Sequence, residues 1–542
     1  MTDSATTVRP TSDGAFLAVD RGTATVAVAL LGRVAGGWRL LGAAQAPAGV
    51  DEGSLAERLR AGLADADPEL AAAAGLSDPG STADLARVRC TTERPQEMAV
   101  VAATRRVAGP LAAAASTAGW RVRELVIDGA EILPVATALA DPRVTAVLAG
   151  ASDPPGADER SLLPELAAVV TAAADRRPDL VTVLSGGLAA PSGRADGLFP
   201  DRPASTVLAP AATAGGGIPL RRLLDGLRGG SDDGRRSLAA ATATLAEVLR
   251  RGVEVVEIGQ SGASRVVAGW SPGGGADVRW ASVPAAALLP AAFTDAHLDA
   301  ITAWLTSPPD RLRVRDRLRE LAVAPWSDAA GDGALLRLAT ARAALTRLAA
   351  ATRDLDAGRQ PPEVLVAAGG AWAVAPGPAV GLALADALRR PGVRALGWDH
   401  ARLLAPLGTI EDPGERLAVM SDLRDELLLP LGSLVLPAGL RTGHSGTLTV
   451  RGEGEPVEVE LTPGGLELVD LPPGERATVE LRFRDAVDLG VRSRHAAVEV
   501  AGGLGGLIVD LRDVPLRMPD RPERRRDLLA AWQGALWAGV DA

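Results

Sequence analysis

Residues 16–19 are apolar, residues 23–30 alternate small and β-branched side chains, and residues 38–42 return after Gly36-Gly37. Period-two runs broken by glycine pairs predict an antiparallel meander, with Asp20 and Gly22 at its first hairpin. A helix is expected over 54–64. Beyond it the pattern switches repeatedly between short apolar runs and longer helical periodicity. Strands are expected over 98–103, 122–128, 144–149 and 180–184, and helices over 105–118, 131–140 and 162–174. Such a rhythm predicts an α/β unit with a largely parallel sheet. Ligands of these sheets sit beyond the carboxyl ends of the strands, where Asp153 and Ser185-Gly186-Gly187 fall.

An Ala-rich helix over 238–249 leads to a second meander, 253–258, 264–269 and 276–282, turned at Pro272-Gly273-Gly274-Gly275. The meander-first layout therefore occurs twice, which suggests two related lobes. Helices dominate to about residue 355. After about residue 441 the texture becomes short strands marked by Gly and Pro, over 447–451, 457–461, 466–469, 477–483, 496–500 and 507–511. A C-terminal all-β module is the expectation there, followed by an amphipathic tail helix over 521–537 with Leu528, Leu529, Trp532 and Trp537 on one side.

The 542 residues allow two to four domains. Lys, Asn and Tyr are absent while Ala, Arg, Gly, Leu and Val dominate, the bias of a GC-rich coding sequence. Without Lys there is no P-loop and no Schiff base; phosphate would have to be held by Arg or by backbone N–H groups. The net charge of −10 and the lack of a basic tail exclude an ordinary nucleic-acid binder. Cys90 stands alone, and His297, His400, His444 and His495 lack metal-ligand spacing, so neither a disulfide nor a zinc site is expected. The polar start, 1–14, reads as disordered, with no signal-peptide core and no bilayer-length apolar run, so a cytoplasmic location is expected.

Three stretches carry the candidate chemistry. Residues 16–25 run Phe-Leu-Ala-Val-Asp-Arg-Gly-Thr-Ala-Thr, residues 255–262 run Val-Val-Glu-Ile-Gly-Gln-Ser-Gly, and residues 364–371 run Val-Leu-Val-Ala-Ala-Gly-Gly-Ala. Phosphates need backbone N–H groups at close approach, which glycine permits by lacking a Cβ. In this order the stretches resemble the two phosphate loops and the adenosine loop of the actin, sugar-kinase and heat-shock ATPase superfamily. Residues 363–393, with Gly369-Gly370 and a Pro-bearing helix ending near Val393, resemble the glutamate mutase accessory (MutL) family, which is unrelated to mismatch repair. Residues 147–153, 429–433 and 502–510 add to that likeness.

The resemblance implies an α/β, two-lobe actin-like ATPase (ribonuclease H-like) fold with the C-terminal β module and tail helix. Together with the polar start and the change of texture after about residue 441, the expected segments are a disordered 1–14, a first lobe 15–250, a second lobe 251–440, the β-rich module 441–516 and the helix 517–542. It implies ATP bound between the lobes by Asp20, Gly22, Thr23, Thr25, Gly259, Ser261, Gly369 and Gly370. Asp20 and Glu257 would hold Mg²⁺ through water, and Glu257 or Asp153 would position an attacking water. It also implies a protein partner such as an adenosylcobalamin-dependent mutase.

Glu257 stands where the superfamily has Asp, Gln260-Ser261 replaces Gly-Gly, and Gly150-Ala151-Ser152-Asp153 replaces Gly-Gly-Thr-Asp. Weak hydrolysis and binding without turnover both remain open. So do a pseudo-ATPase scaffold working through the β module and a small-molecule kinase. Residues 259–263, Gly-Gln-Ser-Gly-Ala, miss the last Gly of a nucleophile elbow and open no helix. Residues 502–506 lie between strands, so a turn is expected there rather than a dinucleotide loop.

Overall fold

The computed structural model describes residues 14–92, 95–129, 131–189, 199, 205–212, 217–228, 234–285, 294–307, 310–324, 331–357, 360–373, 375–440 and 446–537. The segment 1–13, expected to be disordered, lies outside the described residues.

The strands of the first half are β1 (Ala15–Arg21), β2 (Thr25–Val34), β3 (Gly37–Pro47), β4 (Ala86–Thr91), β5 (Glu97–Ala102), β6 (Arg121–Val126), β7 (Val144–Ala151), β8 (Val181–Gly186) and β9 (Thr206–Ala209). Then follow β10 (Val253–Ile258), β11 (Gly262–Ser271), β12 (Gly274–Pro284), β13 (Val364–Ala368), β14 (Gly392–Trp398) and β15 (Leu429–Leu436). The last six are β16 (Gly446–Arg451), β17 (Val457–Leu461), β18 (Leu466–Val469), β19 (Arg476–Asp488), β20 (Arg492–Ala501) and β21 (Leu507–Asp510).

The chain divides into two compact units. The smaller holds residues 94–231 with 281–290. Its sheet runs β6-β5-β7-β8-β9, every neighbouring pair parallel. Helices Ile132–Ala140 and Ala157–Arg176 bury Val135, Leu139, Leu166 and Val170 against Ala99, Val101, Val147 and Ala149. Helices Arg105–Thr117 and Gly217–Leu227 bury Leu111, Ala115, Leu220 and Leu224 against Met98, Val100, Leu148 and Val183. Odd and even positions of β5 and β7 are thus apolar alike, because a parallel sheet is covered on both faces.

The larger unit contains the rest. One four-stranded sheet runs β3-β2-β1-β4, with β1 antiparallel to β2 and parallel to β4. An eight-stranded sheet runs β12-β11-β10-β13-β14-β15-β21-β18, with β10 antiparallel to β11 and parallel to β13. Each therefore opens with a meander whose first strand pairs with a later parallel strand. Helix Gly234–Leu249 packs Leu238, Ala241, Leu245 and Ala246 into a core shared with Phe16 and Ala18 of β1 and Val253 and Val255 of β10. Small residues bring backbones close here: a Cβ on Gly408 would lie 1.8 Å from the Ser237 carbonyl oxygen.

Two elements differ from the expected pattern. The helix expected to reach residue 393 ends at Ala387, and β14 begins at Gly392. Pro391 disfavours helical backbone at Arg390 and cannot donate to a helix, so the chain turns into a strand. Of the six C-terminal strands, β16, β17, β19 and β20 form an antiparallel sheet in the order β17-β16-β19-β20. β21 instead pairs parallel to β15, and β18 pairs antiparallel to β21, extending the eight-stranded sheet.

A chain of buried charges ties this edge together. Arg342 Nε lies 3.2 Å from Asp386, whose other oxygen is 2.8 Å from Arg512 Nη1. Arg512 grips Asp510 through Nε at 2.8 Å and Nη2 at 2.7 Å, and Arg389 holds the same carboxylate at 2.5 and 3.1 Å. The tail helix Pro522–Trp537 closes over it, with Arg512 4.3 Å above the Trp532 ring and Leu529 buried.

Among the described residues, no helix is long and apolar enough to cross a membrane.

Candidate functional site: a buried arginine among three carboxylates

The two meanders turn in the same way. After β1, the Gly22 N–H donates to the Thr25 carbonyl at 2.8 Å; after β10, the Gly259 N–H donates to the Gly262 carbonyl at 2.8 Å. Asp20 and Glu257 occupy matching positions, each one residue before the end of its strand, opposite Ala27 and Ser264. Thr23 is exposed at the first turn, and Ser261 is half-buried at the second. The third loop leaves β13, parallel to β10, at Gly369. Gly369 has φ 91° and ψ 164°, a region reserved almost wholly for glycine. A Cβ there would lie 2.4 Å from the Ile258 carbonyl oxygen, so the third loop closes directly onto the end of β10.

The residue at the centre is Arg402, which the sequence did not single out. After β14, Asp399 accepts the N–H groups of Leu403 at 2.7 Å and Leu404 at 3.2 Å, and its own N–H bonds to the Ala367 carbonyl. This folds residues 399–403 into a turn in which Arg402 adopts φ 56°. Its side chain is 6% exposed. Nε donates to Asp20 Oδ2 at 2.7 Å and Nη2 lies 2.5 Å from the same oxygen, while Nη1 donates to the Thr25 hydroxyl. The missing Cβ of Gly22 would stand 3.5 Å from Nη2, and that of Gly370 3.4 Å from Nη1.

Asp20, Gly22, Thr25 and Gly370 are thus brought together around one guanidinium. Glu257 is near enough to feel it, and Gly259 and Gly369 shape the adjoining turns. Asp153 belongs to the smaller unit, at the carboxyl end of β7, where Asp153–Pro154 is cis.

Burial pushes the Glu257 carboxyl up to about 7; Asp20 and Asp399 add to the rise, against Arg402 and a hydrogen bond from Ser264. Burial likewise raises Asp399 to about 7, against the two backbone N–H groups that it accepts. Arg402 is held above its ordinary value: burial opposes its charge, but Asp20, Glu257 and Asp399 outweigh burial. The Asp20–Arg402 ion pair thus lies beside two carboxyls that burial pushes up to about 7.

The pH dependence follows. A carboxyl whose pKa rises from 4.5 to about 7 on folding holds its proton longer in the folded state. Its favourable contribution is complete below the unfolded value and is lost as pH rises through the folded one. Glu257→Gln, which cannot ionise, is therefore expected to gain stability relative to wild type by roughly 1–3 kcal/mol between about pH 5 and pH 8. Parallel denaturant melts of both proteins check this; a difference that stays flat across the range refutes it.

The site does not fit a divalent metal as arranged. One oxygen of Asp20 is taken by two arginine nitrogens, and Glu257 accepts a hydrogen bond from Ser264. Among the described residues, no group of three or more His, Cys, Asp or Glu is placed to hold a metal ion.

The Gly502–Gly506 string makes a backbone-packed turn. Leu504 and Gly505 donate their N–H groups to the carbonyls of Pro430 and Leu431, and a Cβ on Gly502 would lie 2.0 Å from the Pro472 carbonyl oxygen.

No protein-family description matches the sequence, and no curated protein matches it. Among solved structures, similarity extends to component A of (R)-2-hydroxyglutaryl-CoA dehydratase from Acidaminococcus fermentans, at 8% identity and TM-score 0.26, over 76% of this chain and 99% of that one. The ethanolamine utilization protein EutJ from Carboxydothermus hydrogenoformans matches at 13% identity and TM-score 0.22, over 75% of this chain and 92% of its own. A chain of the PilM-PilN type IV pilus biogenesis complex matches at 14% identity and TM-score 0.22, over 77% and 99%. Likenesses this slight transfer no function.

Proposed function

We propose that this chain is a nucleotide-binding protein of actin-like ATPase architecture, with the phosphates seated over the Gly22, Gly259 and Gly370 turns. The observation that carries this reading is the repeated hairpin. Two meanders open with the same Gly N–H to carbonyl closure, with an acid two residues before each Gly; the first turn and the glycine-only loop meet at the buried Arg402, and that loop closes onto the end of β10 beside the second turn. Turns of that kind suit an anion wherever their N–H groups are not spent on the hairpin closure.

Turnover is weak in this reading. Glu257 is the group proposed to orient a water. An accessory role toward a protein partner, of the kind that the glutamate mutase accessory family has toward its mutase, is the finer proposal. The second reading, a pseudo-ATPase scaffold, is favoured by one specific observation: Asp20 is already neutralised within the protein by Arg402.

Calorimetric titration of ATP and ADP separates the two. The nucleotide reading expects micromolar binding by wild type, weakened at least about tenfold by Gly370→Val, whose side chain would grow toward Thr25 and Arg402. Asp20→Ala is expected to lose binding as well. A folded wild type that binds neither nucleotide leaves the scaffold.

A further inference from the structure

We propose that Arg402 is the resident cation of this site: it stands in for a divalent metal, and phosphate-bearing ligands bind here without one. The inference rests on the nucleotide reading above and concerns how the charge of the phosphates is met.

The geometry assigns the role. Asp20 is the acid of the first glycine turn, the one a bound metal would need, and its Oδ2 is occupied by Nε and Nη2 of Arg402. The pair is buried, with Asp20 4% and Arg402 6% exposed, so water does not dissolve it. A metal would have to displace a guanidinium fixed at three points, since Thr25 holds Nη1 as well. Displacing that guanidinium leaves a buried positive charge without its carboxylate, which is strongly unfavourable.

The same arginine keeps donors for a ligand. A guanidinium has five N–H groups in a planar fork. Three are spent on Asp20 and Thr25, which leaves one on Nη1 and one on Nη2. Those two nitrogens are the ones beside Gly370 and Gly22, where no side chain intervenes. Arg meets phosphate through paired N–H groups of this kind. The turn at Asp399–Leu403 holds Arg402 in a left-handed backbone, so its direction is set before any ligand arrives. Arg402, Asp20, Glu257 and Asp399 are the charged groups that face one another here.

The experiment titrates ATP and ADP into wild type by calorimetry, in excess Mg²⁺ and separately in excess EDTA. The expected result is a Kd unchanged within about threefold between the two conditions, since the counter-charge is covalently attached. Binding that needs Mg²⁺, with a tenfold or greater loss in EDTA, overturns the inference and leaves the nucleotide reading standing. Absence of binding in both conditions sinks the two together.

Variants read the cation directly. Mn²⁺ binding, followed by electron paramagnetic resonance, is expected to be undetectable at this site in wild type. It should appear in Arg402→Met and disappear again in Arg402→Met with Asp20→Asn. Mn²⁺ on wild type that Asp20→Asn removes refutes the proposal. Arg402→Met leaves Asp20 unpaired and can unfold, so Arg402→Lys is the companion. It keeps the charge and loses the fork, and it should bind nucleotide about tenfold more weakly, still without a metal requirement. Binding that requires Mg²⁺ in both wild type and Arg402→Lys refutes Arg402 as the cation.

Discussion

Asp510→Ala is expected to destabilise the larger unit by about 3–5 kcal/mol. Asp510 is fully buried and accepts two N–H groups from Arg512 and two from Arg389. Burial alone would raise its pKa, but the paired arginines outweigh burial and hold the carboxyl below the usual range. Truncation leaves two guanidinium groups in a dry interior with one fewer anion. The loss spreads, because Arg512 also faces Asp386 and lies over Trp532, so the tail helix loosens with it. Thermal melting should show the transition falling by roughly 5–10 °C. Glu480→Ala is the contrast: its partner Arg451 sits at 3.2 Å but the pair is solvent-facing, and the change should stay within about 0.5 kcal/mol. Equal effects of the two substitutions would refute the assignment of Asp510 as the centre of a buried network.

Gly369→Ala is expected to remove nucleotide binding and to cost about 2–4 kcal/mol, whereas Gly370→Ala should cost less than about 1 kcal/mol. The two glycines are adjacent and face different constraints. Gly369 sits at φ 91°, ψ 164°, where an L side chain is strained, and its Cβ would be 2.4 Å from the Ile258 carbonyl oxygen and 2.9 Å from that residue's nitrogen. Both obstacles are backbone, at the end of β10, and neither can swing aside. The third loop would have to leave the second, separating Gly370 from the Arg402 pair. A Cβ on Gly370 meets only side-chain atoms, Thr25 Oγ1 at 3.1 Å and Arg402 Nη1 at 3.4 Å, which can give by a few tenths of an ångström. Melts and ATP titrations of both variants check the contrast. A Gly369→Ala protein that melts and binds like wild type would show that the loop junction plays no part in the site.

Much of the architecture was legible because period and punctuation agree locally. The runs in β5, β7 and β8 sit in a doubly covered parallel sheet, where every position can be apolar. The two meanders carry alternation plus a glycine turn. The strands β17 and β18 match the expected bounds, since Gly and Pro mark both of their ends. β14 was not legible. Its residues, Gly-Val-Arg-Ala-Leu-Gly-Trp, follow a helix and carry an arginine, and no local pattern says that Arg394 is buried, with Nη2 on the carbonyls of Leu388 and Arg390. Because β14 was missed, the turn after it was missed, and with it Arg402.

By itself, the sequence determined which backbone positions must be glycine-permissive, which faces are apolar, and that, histidines aside, every basic side chain is an arginine. These are properties of single residues and short windows, set by sterics and hydrophobic period. Only the tertiary structure decided that Asp20, on β1, would meet an arginine 382 positions later. It also decided that β18 and β21 would leave their sequence neighbours for the eight-stranded sheet. Pairing of that kind depends on which surfaces remain uncovered once the local elements have formed, and on burying charges only where an opposite charge arrives with them.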